Sequence, residues 1–270
     1  VGNAVIGHLN QCDTAVLSGG SWRSTLPLSN LQNRQMGKVA RSTDATTGST
    51  KFDAALASSV PIRVLAFAAH NLSDAALYRV EASNSSGFGA LTYDSGWLDV
   101  WPAAYLATVT DKGEDIWTKA HVLAATVSSL YWRVLFDDAS NPDGYVQIGR
   151  LFIGKGFQPE INLQFNGSIG IETATPTQVA LNGAEYFDHR PSARVVKAST
   201  QFMTENEAMS EVYEIVRRSG IDGEVVFVWD PDDTTHAPRR QFLAHLRTLS
   251  EMEDPFVDQW NYSWEFKELI

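Results

Sequence analysis

Cysteine is almost absent: Cys12 stands alone among 270 residues, so no internal disulfide can form and the fold must rest on packing and subunit contacts. As a nucleophile it would need a neighbouring histidine, which the sequence does not supply at any recognisable spacing. Long apolar runs are missing as well. None approaches the roughly 20 residues of a membrane helix, and no basic segment followed by an apolar one opens the chain, so the expectation is synthesis in the cytoplasm without a secretion signal. Positive charge is in deficit. With 21 Lys and Arg against 32 Asp and Glu, the net charge is −11, which argues against nucleic acid and acidic membranes as partners.

Catalytic and cofactor signatures are also lacking. Gly154-Lys155-Gly156 begins like a dinucleotide loop, but Pro159 stands where the third glycine belongs and no βαβ context follows, so it reads as a strand-end turn. There is no phosphate-binding Gly-Lys-Ser/Thr, no nucleophile elbow and no histidine pair at ligand spacing. Residues 137–144 form an acidic loop. Aligning an EF-hand on Gly144 puts Ala139 first and Arg150 twelfth, which excludes that motif and leaves only a looser loop calcium site. Asp230-Pro231-Asp232-Asp233 follows a strand, a place where metals and catalytic acids often sit, and reads in preference as a solvated turn. The six histidines are scattered singly, so no metal ligand set is assigned. Neither a cofactor nor an enzymatic activity is expected, since a glycosidase would need two carboxylates roughly 5–10 Å apart and no such pair can be placed.

What is present is a composition of 44% hydrophobic and 20% charged residues, that of an ordinary globular protein with room for two cores. Up to about residue 155, short runs of Val, Ile, Leu and aromatics at 62–69, 76–82, 122–125, 131–136 and 145–153 are bounded by turn residues, the pattern of a β-sandwich. Asn141-Pro142-Asp143-Gly144 supplies turn chemistry that should join 131–136 to 145–153 as a hairpin. Residues 156–270 are α+β. A helix over 204–219 opens with a Thr204/Glu207 capping box, repeats Ala208, Met209, Val212, Ile215 and Val216 along one face, and stops at Gly220. Strands are expected at 225–229 and 262–269, the latter with Tyr262, Trp264, Phe266 and Glu268 on one side. Residues 241–251 fit either helix or strand.

Two groups of residues bear on function. His70-Asn71, at the end of an apolar strand, could be a base with its orienting partner, but no Ser or Cys can be assigned to it, so the pair reads as a strand corner. Trp97, Trp101 and Tyr105 lie in YDSGWLDVWPAAY, rich in rings and broken by Gly and Pro. They pack in the core or between loops, or they offer flat faces to a sugar or a partner subunit.

The segments WRSTLPLSNLQNRQMGKVARS, IRVLAFAAHNLSDAALYRVEAS, YDSGWLDVWP and YWRVLFDDASNPDGYVQIGRLFIG together resemble the discoidin-like (galactose-binding-like) jelly roll of tail proteins from tailed bacteriophages. In that family an apolar strand ends in a His-Asn-Leu corner, here His70-Asn71-Leu72, and the next strand carries an Arg-Val pair, here Arg79-Val80. A later hairpin carries Trp-Arg and Gly-Arg-Leu-Phe, matched by Trp132-Arg133 and Gly149-Arg150-Leu151-Phe152. The resemblance covers roughly residues 15–155. The helix, VVFVWDP and closing WEFKELI of the second half look, more loosely, like the C-terminal part of tail-tip or baseplate proteins.

The resemblance implies a mainly β protein, with a discoidin-like sandwich over 1–155 and a smaller α+β domain over 156–270. It implies a structural virion protein of the distal tail or baseplate, a hexameric or trimeric ring in contact with other tail proteins. The alternative is a carbohydrate-binding adhesion module that touches a host glycan through Trp97, Trp101 or Tyr105. His70, Asn71, Trp132 and Arg133 are then markers of the fold.

Overall fold

The computed structural model describes residues 2–109 and 116–270. Its principal strands are β1 (Val5–His8), β2 (Phe52–Ala68), β3 (Leu77–Ser83), β4 (Leu91–Asp94), β5 (Thr118–Asp137), β6 (Arg150–Phe157), β7 (Ser168–Thr173), β8 (Thr177–Val179), β9 (Glu185–Phe187), β10 (Ser192–Met203), β11 (Val225–Val228), β12 (Gln241–Leu246) and β13 (Gln259–Glu268); the principal helix, α1 (Tyr213–Ser219), lies between β10 and β11. The protein is mainly β, as its composition and turn spacing predict.

The described residues divide into two compact units, and the division does not fall at 155/156. The first comprises 2–109, 116–158 and 224–243; the second comprises 159–223 and 244–270. The correction has a physical cause. β1 uses one edge to pair with β6 (Ile6 opposite Phe157) and the other to pair with β11 (Val5 opposite Val228), so residues after 223 return to complete the first unit.

In the first unit, a β-sandwich, the strands run β11-β1-β6-β2-β5-β3-β4, each pair antiparallel where its register is defined. The sequence breaks β5 into two runs, at 122–125 and 131–136. The backbone instead carries straight through, and register shifts against β2 absorb the polar interval between them. The expected hairpin is not formed. The turn itself closes, with the Gly144 amide donating to the Asn141 carbonyl at 2.9 Å, but Gln147–Ile148 then pairs with Ala40–Arg41. β6 goes on to lie between β1 and β2, while β5 pairs with β2 and β3.

Gly154-Lys155-Gly156 likewise lies inside β6 rather than in a turn. A Cβ on Gly154 would stand 2.5 Å from the His8 carbonyl oxygen, and one on Gly156 2.8 Å from the Arg63 side chain. Glycine is needed there because neighbouring chains approach too closely for any side chain. The core between these strands holds Phe52, Phe67, Trp132, Phe136, Leu151 and Ile153, each contributing roughly 1.5–3 kcal/mol by leaving water.

One ionic group is buried in that core. Arg150 is fully enclosed and donates to both carboxylate oxygens of Glu224, at 2.9 and 2.5 Å. It also donates to the Leu31 carbonyl at 3.2 Å and pairs with Asp13 at 2.6 Å. Burial opposes its charge, but the Glu224 and Asp13 carboxylates outweigh that and raise its pKa. Asn10 extends the network, giving Nδ2 to Glu224 at 3.2 Å and accepting the Cys12 and Ile153 amides, each at 3.0 Å. Cys12 is sealed beneath it, and burial pushes its thiol up to about 12, so it carries no thiolate chemistry at neutral pH.

The second unit is α+β, with strand order β7-β10-β13-β12 and a separate two-stranded ribbon of β8 and β9. The capping box forms. The Glu207 amide donates to Thr204 Oγ1 at 3.2 Å, and the Thr204 amide to Glu207 Oε2 at 3.1 Å. Glu207–Val212 winds as a wider π-helix before α1 begins, which turns Met209 outward from the expected apolar face while Ala208, Val212 and Ile215 stay buried. Along β13, Tyr262, Trp264, Phe266 and Glu268 all point inward, and Glu268 is satisfied there by Arg194.

Replacing Arg150 by Met should destabilise the protein by about 3–5 kcal/mol, because Glu224 is left as a buried, uncompensated charge. In urea unfolding, the double variant Arg150→Met/Glu224→Met should recover part of that loss; equal losses in both would contradict the assignment.

Candidate functional site

The His70-Asn71 corner follows Ala69, which takes φ +56° to turn the chain out of β2. Asn71 spends its whole side chain on the loop that follows residue 140. It donates to Asp143 Oδ2 at 2.8 Å and to the Tyr145 carbonyl at 3.1 Å, and accepts the Gln147 amide at 2.7 Å. The buried Asp138 is held by the Ser73 amide at 3.0 Å, the Ser73 hydroxyl and Asn141 Nδ2 at 2.7 Å. The acidic loop is therefore knitted by turn chemistry. His70 lies edge-on against Phe67 and Trp101, with ring centroids 5.5 and 5.6 Å away.

The three candidate aromatics separate. Trp101 and Tyr105 stack on each other at 6.0 Å and both meet the edge of Trp117, and Trp101 gives its indole N–H to the Leu72 carbonyl at 3.1 Å. At 4% and 1% exposure they offer no face to a ligand or partner, which removes them from the contact set. Trp97, by contrast, is 41% exposed and precedes Leu98–Asp99, a short edge segment paired with β3.

Trp132 and Arg133 sit back to back on β5. Trp132 is fully buried, while Arg133 faces out, makes a bidentate pair with Asp53 at 2.6 and 2.9 Å, and covers the Phe88 ring at 3.9 Å. Across the neighbouring strands, Glu81 stands opposite both Arg133 and Asp94, and Arg79 pairs with Asp94 at 2.6 Å and Glu81 at 3.0 Å. Charges of alternating sign thus cross four strands. The Asp94 carboxyl is held below its ordinary range, chiefly by the Arg79 hydrogen bond.

One titratable cluster was not legible as such in the sequence, because its members come from different strands. His121 is buried between two phenols, with Nδ1 3.1 Å from the Tyr78 hydroxyl and Nε2 2.8 Å from that of Tyr93. One hydroxyl donates to the bare ring nitrogen and the other accepts the ring N–H. Burial, reinforced by Lys119, lowers the imidazole to about 4. Lys119 donates to the Asp99 carbonyl at 3.0 Å, and burial lowers its ammonium to about 8 against the pull of Asp99. The only sequence signal was an alternation of Lys119, His121 and apolar residues along one strand.

Asp230 and Asp233 perform turn work. Asp230 accepts the Gly2 and Asp232 amides at 2.9 and 3.0 Å, and Asp233 accepts those of Thr235 and His236 at 2.8 and 2.7 Å. Among the described residues, no three His, Cys, Asp or Glu side chains are grouped to hold a metal. Among those residues, no helix is long and apolar enough to cross a membrane.

No protein-family model matches the chain, and no curated protein matches it. Solved structures give distant likenesses. The family 32 carbohydrate-binding module of NanJ from Clostridium perfringens, determined with galactose, is 12% identical at a TM-score of 0.39 over 55% of this chain and 98% of that one. A fucolectin from striped bass (Morone saxatilis) serum is 11% identical at a TM-score of 0.40, over 96% and 92% of the two chains. Likenesses this remote transfer neither family nor ligand to this chain.

Because the folded pKa of His121 lies below its unfolded value of about 6.5, the unfolded state binds the extra proton. The contribution of His121 to stability is therefore complete above pH 6.5 and is lost as pH falls toward 4. The loss is about 3 kcal/mol. Urea unfolding across this range should show the decline in the wild type, and His121→Gln should remove its share of the slope.

Proposed function

We propose that this chain is a non-catalytic structural subunit of a bacteriophage tail tip or baseplate, associating with further copies of itself and with neighbouring tail proteins. The observation that carries the reading is the ribbon of β8 and β9. Val179, Leu181, Tyr186 and Phe187 lie on it or on its turn, and all are exposed, Leu181 completely. A ribbon of three-residue strands is marginal in water, and a row of large apolar side chains on it is a surface made to be covered. β7, in the same unit, also exposes Ile169 and Ile171 and pairs only with β10 among the described strands, so its other edge can accept a further strand. The resemblance of residues 15–155 to jelly rolls of tail proteins points to the setting. Subunits of a ring would bury such ribbons by symmetric repetition.

Light scattering and negative-stain imaging should show oligomers or rings, and Leu181→Asp/Phe187→Asp should yield a folded monomer with unchanged circular dichroism. A wild type that stays monomeric alone and with its neighbouring tail proteins would overturn the proposal. Antibody labelling of virions should mark the tail tip.

A second reading, glycan contact, is favoured by one observation: Trp97 is 41% exposed, unlike the buried Trp101 and Tyr105. Binding on a glycan array should fall at least tenfold in Trp97→Ala, about 1.4 kcal/mol. Undiminished binding would remove that site.

A further inference from the structure

The second unit contains a polar trough of about 470 Å³, within the size range of small-molecule sites. Its floor is the outward face of β10 and β13, where Lys197 lies opposite Glu265 and Ser199 opposite Ser263. Residues 164–167 form one wall, fixed by the Gln164 amide donating to the Ser199 carbonyl at 2.9 Å, and Thr248 and Ser250 belong to the other.

The charges in the trough are already spent. Glu265 takes Lys197 Nζ at 3.4 Å, Arg247 Nη1 at 2.9 Å and the Thr248 hydroxyl at 3.1 Å. An anionic ligand would have to strip Lys197 from this carboxylate, and a cationic one would meet two cations. Five uncharged side chains, by contrast, are free. The side chains of Gln164, Asn166, Ser199, Gln201 and Ser263 make no hydrogen bond within the protein among the described residues, and they supply three amides and two hydroxyls to one concavity. Beside them stands Phe165, 96% exposed, on a turn where Asn166 takes φ +82°. A phenyl ring left wholly in water at the rim of a polar hollow suits a ligand with one apolar face and a polar edge.

We propose that this trough binds a neutral saccharide, with the C–H face of a pyranose ring on Phe165 and its hydroxyls hydrogen-bonded to Gln164, Asn166 and Gln201. Pairing of this kind joins flat apolar contact to directional polar groups at small entropic cost. The site belongs to the second unit and is independent of both Trp97 and the apolar ribbon.

Saturation-transfer NMR of the full chain with methyl β-galactoside, methyl α-glucoside, N-acetylglucosamine and rhamnose tests it, with inorganic phosphate titrated as an anionic competitor. At least one sugar should receive saturation. Its affinity should fall about tenfold or more in Phe165→Ala and in Gln201→Ala, and be unchanged in Trp97→Ala and in excess phosphate. Phe165 is exposed, so the variant should fold, as circular dichroism would verify. No transfer to any of the four sugars, transfer that survives Phe165→Ala, transfer lost in Trp97→Ala, or displacement by phosphate would each overturn the proposal.

Discussion

The Arg150–Glu224 pair is the constraint on which the first unit depends. A fully buried guanidinium is tolerable only while every N–H has a partner and its charge a counter-charge. Glu224, Asp13 and the Leu31 carbonyl supply the counter-charge and acceptors for Nε, Nη1 and Nη2 from three separate parts of the chain. The pair also fixes register: β6 must enter the sheet with Arg150 facing inward, and β11 must follow directly after Glu224. Hydrophobic residues could fill the same space. They would not specify as narrowly which segments meet there.

How much of this was legible in the sequence follows from what each element depends on. Elements set by their own residues were legible: the apolar runs of β2, β3 and β11, the inward face of β13, and the Thr204/Glu207 cap. Elements set by distant partners were not. The 141–144 turn was recognisable from its chemistry, yet a turn does not determine which strand the chain joins next, and β6 joined β1 and β2. The two glycines of β6 resembled loop residues because glycine marks turns and close strand approaches alike. Of the three aromatic candidates, Trp97 differs from Trp101 and Tyr105 only in tertiary surroundings, which composition does not encode. His121 was passed over as one of six scattered histidines because both its tyrosines are cross-strand or farther.

The two units divide the physical work. The first spends many of its polar groups internally, in the Asn71 corner, the cross-strand charges and the phenol-clamped His121. The second leaves its apolar ribbon and its trough of amides and hydroxyls open to solvent. In the proposed reading, the second unit makes the contacts.

The return of β11 to the first unit also has a temporal consequence. On the ribosome, residues 1–158 emerge well before Glu224, so a nascent first unit holds a half-paired β1 and an Arg150 that lacks its principal counter-charge. The sandwich cannot close until the intervening 65-odd residues have been made, several seconds later at about 5–20 residues per second. The second unit, whose own strands span 168–268, is synthesised across that same interval. Completion of the first core thus waits until much of the second unit has been made, and the two units do not fold strictly one after the other along the chain.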